Sequence, residues 1–111
     1  MNSKEQLIEN AKKALEALRE QIGEYAWQQS EVEVNKHFNG KTYVGYSIRD
    51  WGSWINPYGS DGEQDYDWKV LDEGSKTRLK EIVEKYNKRY NVNICYMCEE
   101  KNWISFEIGI E

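Results

Sequence analysis

The sequence is poor in proline, cysteine and histidine, with one, two and one of them, and it contains no long apolar run. A membrane-spanning helix needs roughly 20 consecutive apolar residues, and no window approaches that length. The two cysteines, Cys95 and Cys98, accompany no visible export signal, which favours reduced thiols over a disulfide framework. The first residues are charged and helical in pattern, unlike the apolar segment of a secretory signal. We therefore expect a cytoplasmic protein with reduced thiols.

An excess of basic residues is also lacking, because the formal net charge is −5. Proteins that bind nucleic acids in general need a basic surface, so this charge argues against direct binding to nucleic acid. The charges are unevenly distributed. Residues 50–74 carry seven acids against Lys69 alone, and residues 75–91 carry six bases against two acids. The sequence predicts a strongly acidic segment followed by a basic helix.

With 111 residues, of which 39% are hydrophobic and 14% aromatic, the chain has the length and composition of one globular domain over 1–111. A chain of this size buries roughly two-thirds of the surface that its unfolded form exposes. A hydrophobic core is therefore possible without disulfides or a structural metal.

Two segments have the apolar periodicity of a helix. Ser3 and Gln6 form the pattern of a capping box, in which each side chain bonds the other residue's backbone. The apolar stripe behind it is too short for a coiled coil and predicts packing on a sheet, with an end near Gly23 or one turn beyond it. A second helix is predicted from about Ser75 to Tyr90, with Asn91 as a left-handed stop. The two stripes are Ile8, Ala11, Leu15, Leu18 and Ile22, and Leu79, Ile82, Val83, Tyr86 and Tyr90.

Residues 31–48 alternate in the manner of a β-hairpin around Asn39-Gly40, a strong turn signal. A two-residue turn would place Val34 opposite Gly45. A three-residue loop through Lys41 would instead align three apolar residues of the first strand with the second strand. We expect the three-residue loop, because it gives one coherent apolar face. Its pairs are Val32 with Ile48, Val34 with Tyr46, and Phe38 with Thr42.

Residues 49–67 form a long connection rich in acids and aromatics, and Trp68, Val70 and Leu71 follow as a possible short strand. A second hairpin is predicted after the second helix, with a turn at 99–102 and with Trp103 on its outer face. The predicted class is α+β. Two helices pack on one face of a four- to five-stranded, mostly antiparallel sheet, in the order α-β-β-(β)-α-β-β.

The residues that often carry chemistry lack suitable partners. Cys95 and Cys98 have the spacing of half a zinc site, but His37 is the only other soft ligand, which leaves only a site shared across a dimer. His37 has no nucleophile motif beside it. Alternating acids from Asp61 resemble a calcium loop, yet Tyr66 stands where that loop needs glycine. We therefore expect no metal, no cofactor and no catalytic residue.

The acidic segment carries the strongest functional signal. Between positions 50 and 68 lie five acids and five large aromatics, with no Lys or Arg. Tryptophan and tyrosine combine large contact area with a polar group, and binding hot spots are enriched in tryptophan, tyrosine and arginine. The predicted binding residues are Asp50, Trp51, Trp54, Tyr58, Asp61, Glu63, Asp65, Tyr66, Asp67 and Trp68, together with Trp103.

These features favour a small acidic inhibitor that binds a protein with a basic surface, such as a nucleic-acid enzyme. Closely spaced carboxylates imitate the phosphates of a nucleic-acid strand, as in nuclease immunity proteins and phage anti-defence proteins such as anti-CRISPRs, which this chain resembles in size and charge. The alternative is a ligand-binding module that stacks a nucleotide or sugar on Trp and Tyr. A small carboxylate-based enzyme is less favoured, because no pair of acids stands out.

Overall fold

The structure, a computed structural model, describes residues 3–22, 28–49, 73–98 and 103–110. Two helices, α1 (Lys4–Ile22) and α2 (Glu73–Tyr90), are joined to a five-stranded sheet. The strands are β1 (Gln28–Gln29), β2 (Glu33–Lys36), β3 (Thr42–Arg49), β4 (Cys95–Cys98) and β5 (Trp103–Ile110). All their pairings are antiparallel, so the predicted α+β class is confirmed.

Helix α1 follows its predicted stripe. Leu15, Leu18 and Ile22 are fully buried, and the helix contacts both β3 and β5. The Ser3 hydroxyl accepts a hydrogen bond of 3.1 Å from the backbone N–H of Gln6, as expected of an N-cap. The second half of the predicted capping box is wrong. The Gln6 side chain donates to Asn10 one turn ahead and does not return to Ser3.

Helix α2 begins two residues before its predicted start and ends as predicted. Asn91 has φ of 54°, and the N–H of Val92 donates to the carbonyl of Asn87, the long bond that closes a Schellman motif. The helix contacts α1, and Gln21 of α1 accepts hydrogen bonds from Lys85 and Tyr86 of α2. The buried residues of α2 belong to the same core as those of α1 and the sheet: Leu79, Ile82, Val83 and Tyr86.

Strands β3 and β5 are the centre of the sheet and pair along their full length, from Thr42 with Ile110 to Arg49 with Trp103. Strands β1 and β2 pair with the other edge of β3, and β4 pairs with the other edge of β5. Alternate residues of β3 and β5 are buried. They define the core face of the sheet, whose members are Thr42, Val44, Tyr46, Ile48, Ile104, Phe106, Ile108 and Ile110.

The first hairpin exists, but both predicted registers are wrong. Val34 pairs with Val44, whereas the two-residue turn required Gly45 and the three-residue loop through Lys41 required Tyr46. The loop comprises residues 38–40: the N–H of Gly40 donates to the carbonyl of His37, and Gly40 has φ of 89°. A turn followed by a left-handed glycine is a common three-residue hairpin loop. Phe38 therefore lies in the turn, fully exposed, and not on the apolar face.

A β-bulge separates β1 from β2 and was not predicted. Ser30 bonds to Ser47 and Glu33 pairs with Gly45, so two residues, Glu31 and Val32, lie opposite the single Tyr46. The Ser30 hydroxyl accepts the N–H of Ser47 at 2.9 Å. The Ser30 carbonyl accepts the Arg19 guanidinium of α1 at 3.2 Å. The N–H of Ser47 and the carbonyl of Ser30, which the bulge leaves without each other as partners, are therefore both hydrogen-bonded.

The second hairpin is confirmed as the pairing of β4 with β5, with the alternating isoleucines of β5 buried as expected. The long connection at 49–67, the short strand from Trp68 and the turn at 99–102 lie outside the described residues apart from Arg49. Within the described ranges, neither helix is long and apolar enough to cross a membrane.

Truncation of either helical stripe should destabilise the fold. Leu18→Ala and Ile82→Ala each remove buried methyl groups, so each should lower the free energy of unfolding by about 2–5 kcal/mol. Urea denaturation followed by far-ultraviolet circular dichroism measures the loss. Lys13→Ala, on the exposed side of α1, is the matched control and should change stability little. Unchanged midpoints for both core variants would contradict the assigned helical faces.

The left-handed glycine of the hairpin loop gives a second test. Gly40→Ala should destabilise by about 1–2 kcal/mol, because a β-carbon is strained at positive φ. Gly109→Ala is the control, since a β-carbon there would meet no atom within 4 Å and Gly109 is not among the residues with positive φ. The same urea titration compares them. Equal stability of the two variants would argue against the observed loop.

Candidate functional site

The side of the sheet opposite the core face carries polar and small residues, and we call it the polar face. Residues that pair directly across strands lie on the same face of a sheet, so the register arranges this surface in rows. One row runs from Ser30 through Ser47 and Ser105 to Met97. The next row runs from Glu33 through Gly45 and Glu107 to Cys95. Asn35, Tyr43 and Gly109 form the row after that.

The second of these rows, Glu33–Gly45–Glu107–Cys95, is the acidic row. It places one carboxylate on each side of a glycine. Neighbouring strands lie about 4.8 Å apart, so the backbones of Glu33 and Glu107 are about 10 Å apart. The centre of this surface carries small residues of β3 and β5, namely Gly45, Ser47 and Ser105. The result is a concavity of about 470 Å³ that includes Glu33, Gly45 and Glu107 in its lining.

An aromatic pair forms one wall of the concavity. The rings of His37 and Tyr43 stack with centroids 4.2 Å apart. Tyr43 leans along its strand toward Gly45, where a β-carbon would lie 3.4 Å from the tyrosine Cε2. Nε2 of His37 lies 3.6 Å from Oε1 of Glu107, which is beyond hydrogen-bonding distance. The lone histidine of the chain is thus held by stacking beside the acidic row.

Positive charges on the polar face lie at its two ends. The Arg49 guanidinium lies over the Trp103 ring, 4.3 Å from its centroid, at the end from which residue 50 continues. Lys41 lies at the hairpin end, opposite His37. Each is four residues along the chain from Gly45, or about 13 Å at ~3.3 Å per residue. Among the described residues that line the concavity, none is Lys or Arg.

On the other side of the sheet, one partly buried hydrogen bond fixes the bulge beneath this surface. Burial raises the pKa of the Tyr46 phenol far above its ordinary value, with the nearby Arg19 charge acting in the opposite direction. Tyr46 therefore remains protonated and donates a hydrogen bond of 2.8 Å to Gln29 of β1. This bond and the Arg19 contact hold the β1–β2 strand against β3, which positions Glu33 for the acidic row.

The cysteines do not form a described metal site. Cys95 is exposed on the polar face and pairs with Glu107, whereas the backbone of Cys98 pairs with Ile104. Across the described ranges, no three His, Cys, Asp or Glu side chains come together as metal ligands. The expectation that the protein holds no metal or cofactor stays a prediction.

Of the predicted binding residues, only Trp103 lies in the described part of the chain. It is half-buried on the polar face, so its predicted placement on the outer side of β5 is confirmed. The predicted residues from Asp50 to Trp68 lie outside it. The sequence analysis missed Glu33, Tyr43 and Glu107. In the sequence these residues are visible as polar positions that alternate with apolar ones. The strand register that brings them together is not visible there.

The aromatic pair can be tested through the only histidine. A stacked ring shields the protons above it, so the His37 ring protons should resonate upfield of those of an unstructured histidine peptide. Tyr43→Leu should return them toward the peptide values in proton NMR. Tyr96→Leu is the control, because Tyr96 contacts Phe106 on the core face. Identical His37 signals in wild type and Tyr43→Leu would contradict the stacked geometry.

Comparison with protein-family models, with curated proteins and with solved structures finds no match to this chain. Its function is therefore inferred from its own charges, contacts and shape.

Proposed function

We propose that this chain is a small acidic binding protein that inhibits or occupies a basic protein partner, with the polar face of the sheet as a contact surface. The observation that carries the proposal is the acidic row, in which Glu33 and Glu107 stand on either side of Gly45 in a concave surface. A basic partner would meet carboxylates in the centre of the surface and apolar groups at its margin.

The margin of the polar face supplies apolar area for such a contact. Met97 of β4, which pairs with Ser105, is exposed over 62% of its surface, and Trp103 is half-buried at the start of β5, two positions from Ser105. Interfaces obtain most of their affinity from a few aromatic or flexible apolar anchors, while charge sets encounter rate and orientation. The polar face combines both kinds of group within one continuous surface.

The partner class follows from the sign of the charge. The net charge of −5 favours a basic partner, and the enzymes that act on nucleic acids are basic where they bind phosphates. The acids predicted to bind, Asp61, Glu63, Asp65 and Asp67, would add four negative charges to those of the acidic row. In this proposal the protein competes with a nucleic-acid strand for the basic surface of its partner.

A ligand-binding module is the second candidate, and the size of the concavity favours it. Small-molecule sites commonly measure ~300–1,000 Å³, and this one is about 470 Å³. Two carboxylates and no lining Lys or Arg disfavour a phosphate, so a nucleotide fits less well than a sugar. No described residue of α2 lines the concavity, so the basic side chains of that helix give no support to a phosphate-bearing ligand there.

Partner capture with matched variants tests the proposal. The wild-type protein and the pair variant Glu33→Gln/Glu107→Gln are used as baits in lysate of the native host, with mass spectrometry of bound proteins and small molecules. Association rates of the captured protein are then measured over a range of salt concentrations. The pair variant should associate more slowly, by about threefold to tenfold, with a weaker salt dependence, because charge complementarity acts mainly on encounter.

Two further variants make the result specific. Glu20→Gln/Glu81→Gln removes the same charge from exposed helical positions and should leave association nearly unchanged. Asp61→Asn/Glu63→Gln/Asp65→Asn/Asp67→Asn tests the predicted acidic segment separately. Equal rates for wild type and the Glu33/Glu107 variant would show that the polar face is not the contact surface. A sugar captured without a protein would instead support the ligand-binding candidate.

A further inference from the structure

We infer that the concavity on the polar face is a pocket for one arginine side chain of the partner, received between Glu33 and Glu107 beside the His37–Tyr43 stack. The inference rests on the proposed function and names the chemical group that the surface would recognise. It follows from the shape of the pocket, from the spacing of its carboxylates and from the aromatic wall.

The spacing suits a group with several donors. The backbones of Glu33 and Glu107 are about 10 Å apart on either side of Gly45, and both residues line the concavity. A guanidinium carries five N–H donors in a planar fork and can bond carboxylates along two of its edges. An ammonium is a compact point charge and cannot span both carboxylates with the same directionality.

The wall also favours a planar cation. Tyr43 and His37 line the pocket as one stacked unit, and Tyr43 leans over the glycine that separates the carboxylates. Guanidinium groups stack on aromatic rings more often than ammonium groups do. The chain already makes such a contact on the same face, where Arg49 lies over Trp103.

The charged groups that face the pocket leave a net negative centre. Glu33, Glu107 and His37 line it, and neither Lys41 nor Arg49 is among the described lining residues. The Arg49 guanidinium lies over the Trp103 ring at one end of the face. Among the described residues, the two carboxylates therefore set the sign of the charge in the pocket.

Three short peptides test the pocket directly: acetyl-Gly-Arg-Gly-amide, its lysine analogue, and its citrulline analogue, which has nearly the shape of arginine without the charge. Each is titrated into the full chain, and NMR follows the His37 ring protons and the amides of Gly45 and Glu107. The arginine peptide should bind best. The citrulline peptide should bind about tenfold more weakly, which corresponds to ~1.4 kcal/mol for the lost charge-assisted bonds. The lysine peptide should fall between them.

Variants separate the pocket from general attraction to an acidic protein. Glu33→Gln/Glu107→Gln should abolish the preference for arginine, and Glu20→Gln/Glu81→Gln should preserve it. Gly45→Leu keeps every charge but fills the space between the carboxylates, so it should also abolish binding. Equal affinity for arginine and citrulline peptides, or shifts confined to residues outside the pocket, would overturn the inference.

The outcomes also distinguish this inference from the proposed function. If binding of a captured partner depends on Glu33 and Glu107 but no peptide shows an arginine preference, the proposed function stands and the arginine pocket is rejected. If the peptides show an arginine preference but the partner binds the Glu33/Glu107 variant at an unchanged rate, the pocket stands and the proposed contact surface is rejected.

Discussion

The pairing of β3 with β5 is the contact on which the rest of the structure depends. It joins residues that are 54 to 68 positions apart in the chain, from Arg49 with Trp103 to Thr42 with Ile110. Because side chains alternate along both strands, this one register assigns every residue of the central sheet to the core face or the polar face. A slip by one residue would expose the isoleucines of β5 and bury Glu107. The apolar stripe of α1 stabilises the register, since it contacts both strands on the core face.

Local signals in the sequence were sufficient for the helices and for the existence of both hairpins. The stripe of α1 and the left-handed stop at Asn91 each depend on residues within a few positions of one another. The register of the first hairpin was not predictable in the same way. Phe38 is apolar and in phase with Val32 and Val34, yet turn geometry places it in the loop. The bulge then shifts the polar strand β1, which has no apolar pattern of its own.

The candidate site was largely inaccessible to sequence reasoning for a related reason. Glu33 and Glu107 are 74 positions apart, and only the combined registers of β2 with β3 and β3 with β5 bring them to opposite sides of Gly45. In the sequence each is simply a polar position between two apolar ones. Trp103 was placed on the outer face because its position alternates with an obvious apolar stripe. The predicted acidic segment was found by composition, which says which residues are concentrated but not what they face.

The choice of residue at position 45 suggests that the polar face is shaped for more than stability. Glycine inside a strand costs about 0.5–1 kcal/mol relative to alanine, and a β-carbon at Gly45 would meet Tyr43 Cε2 at 3.4 Å, an ordinary contact. Alanine would therefore fit and favour folding. A larger residue would displace the Tyr43 ring and occupy the space between the two carboxylates. Glycine keeps that space open at a cost in stability, which is the pattern expected where a surface must admit a group from another molecule.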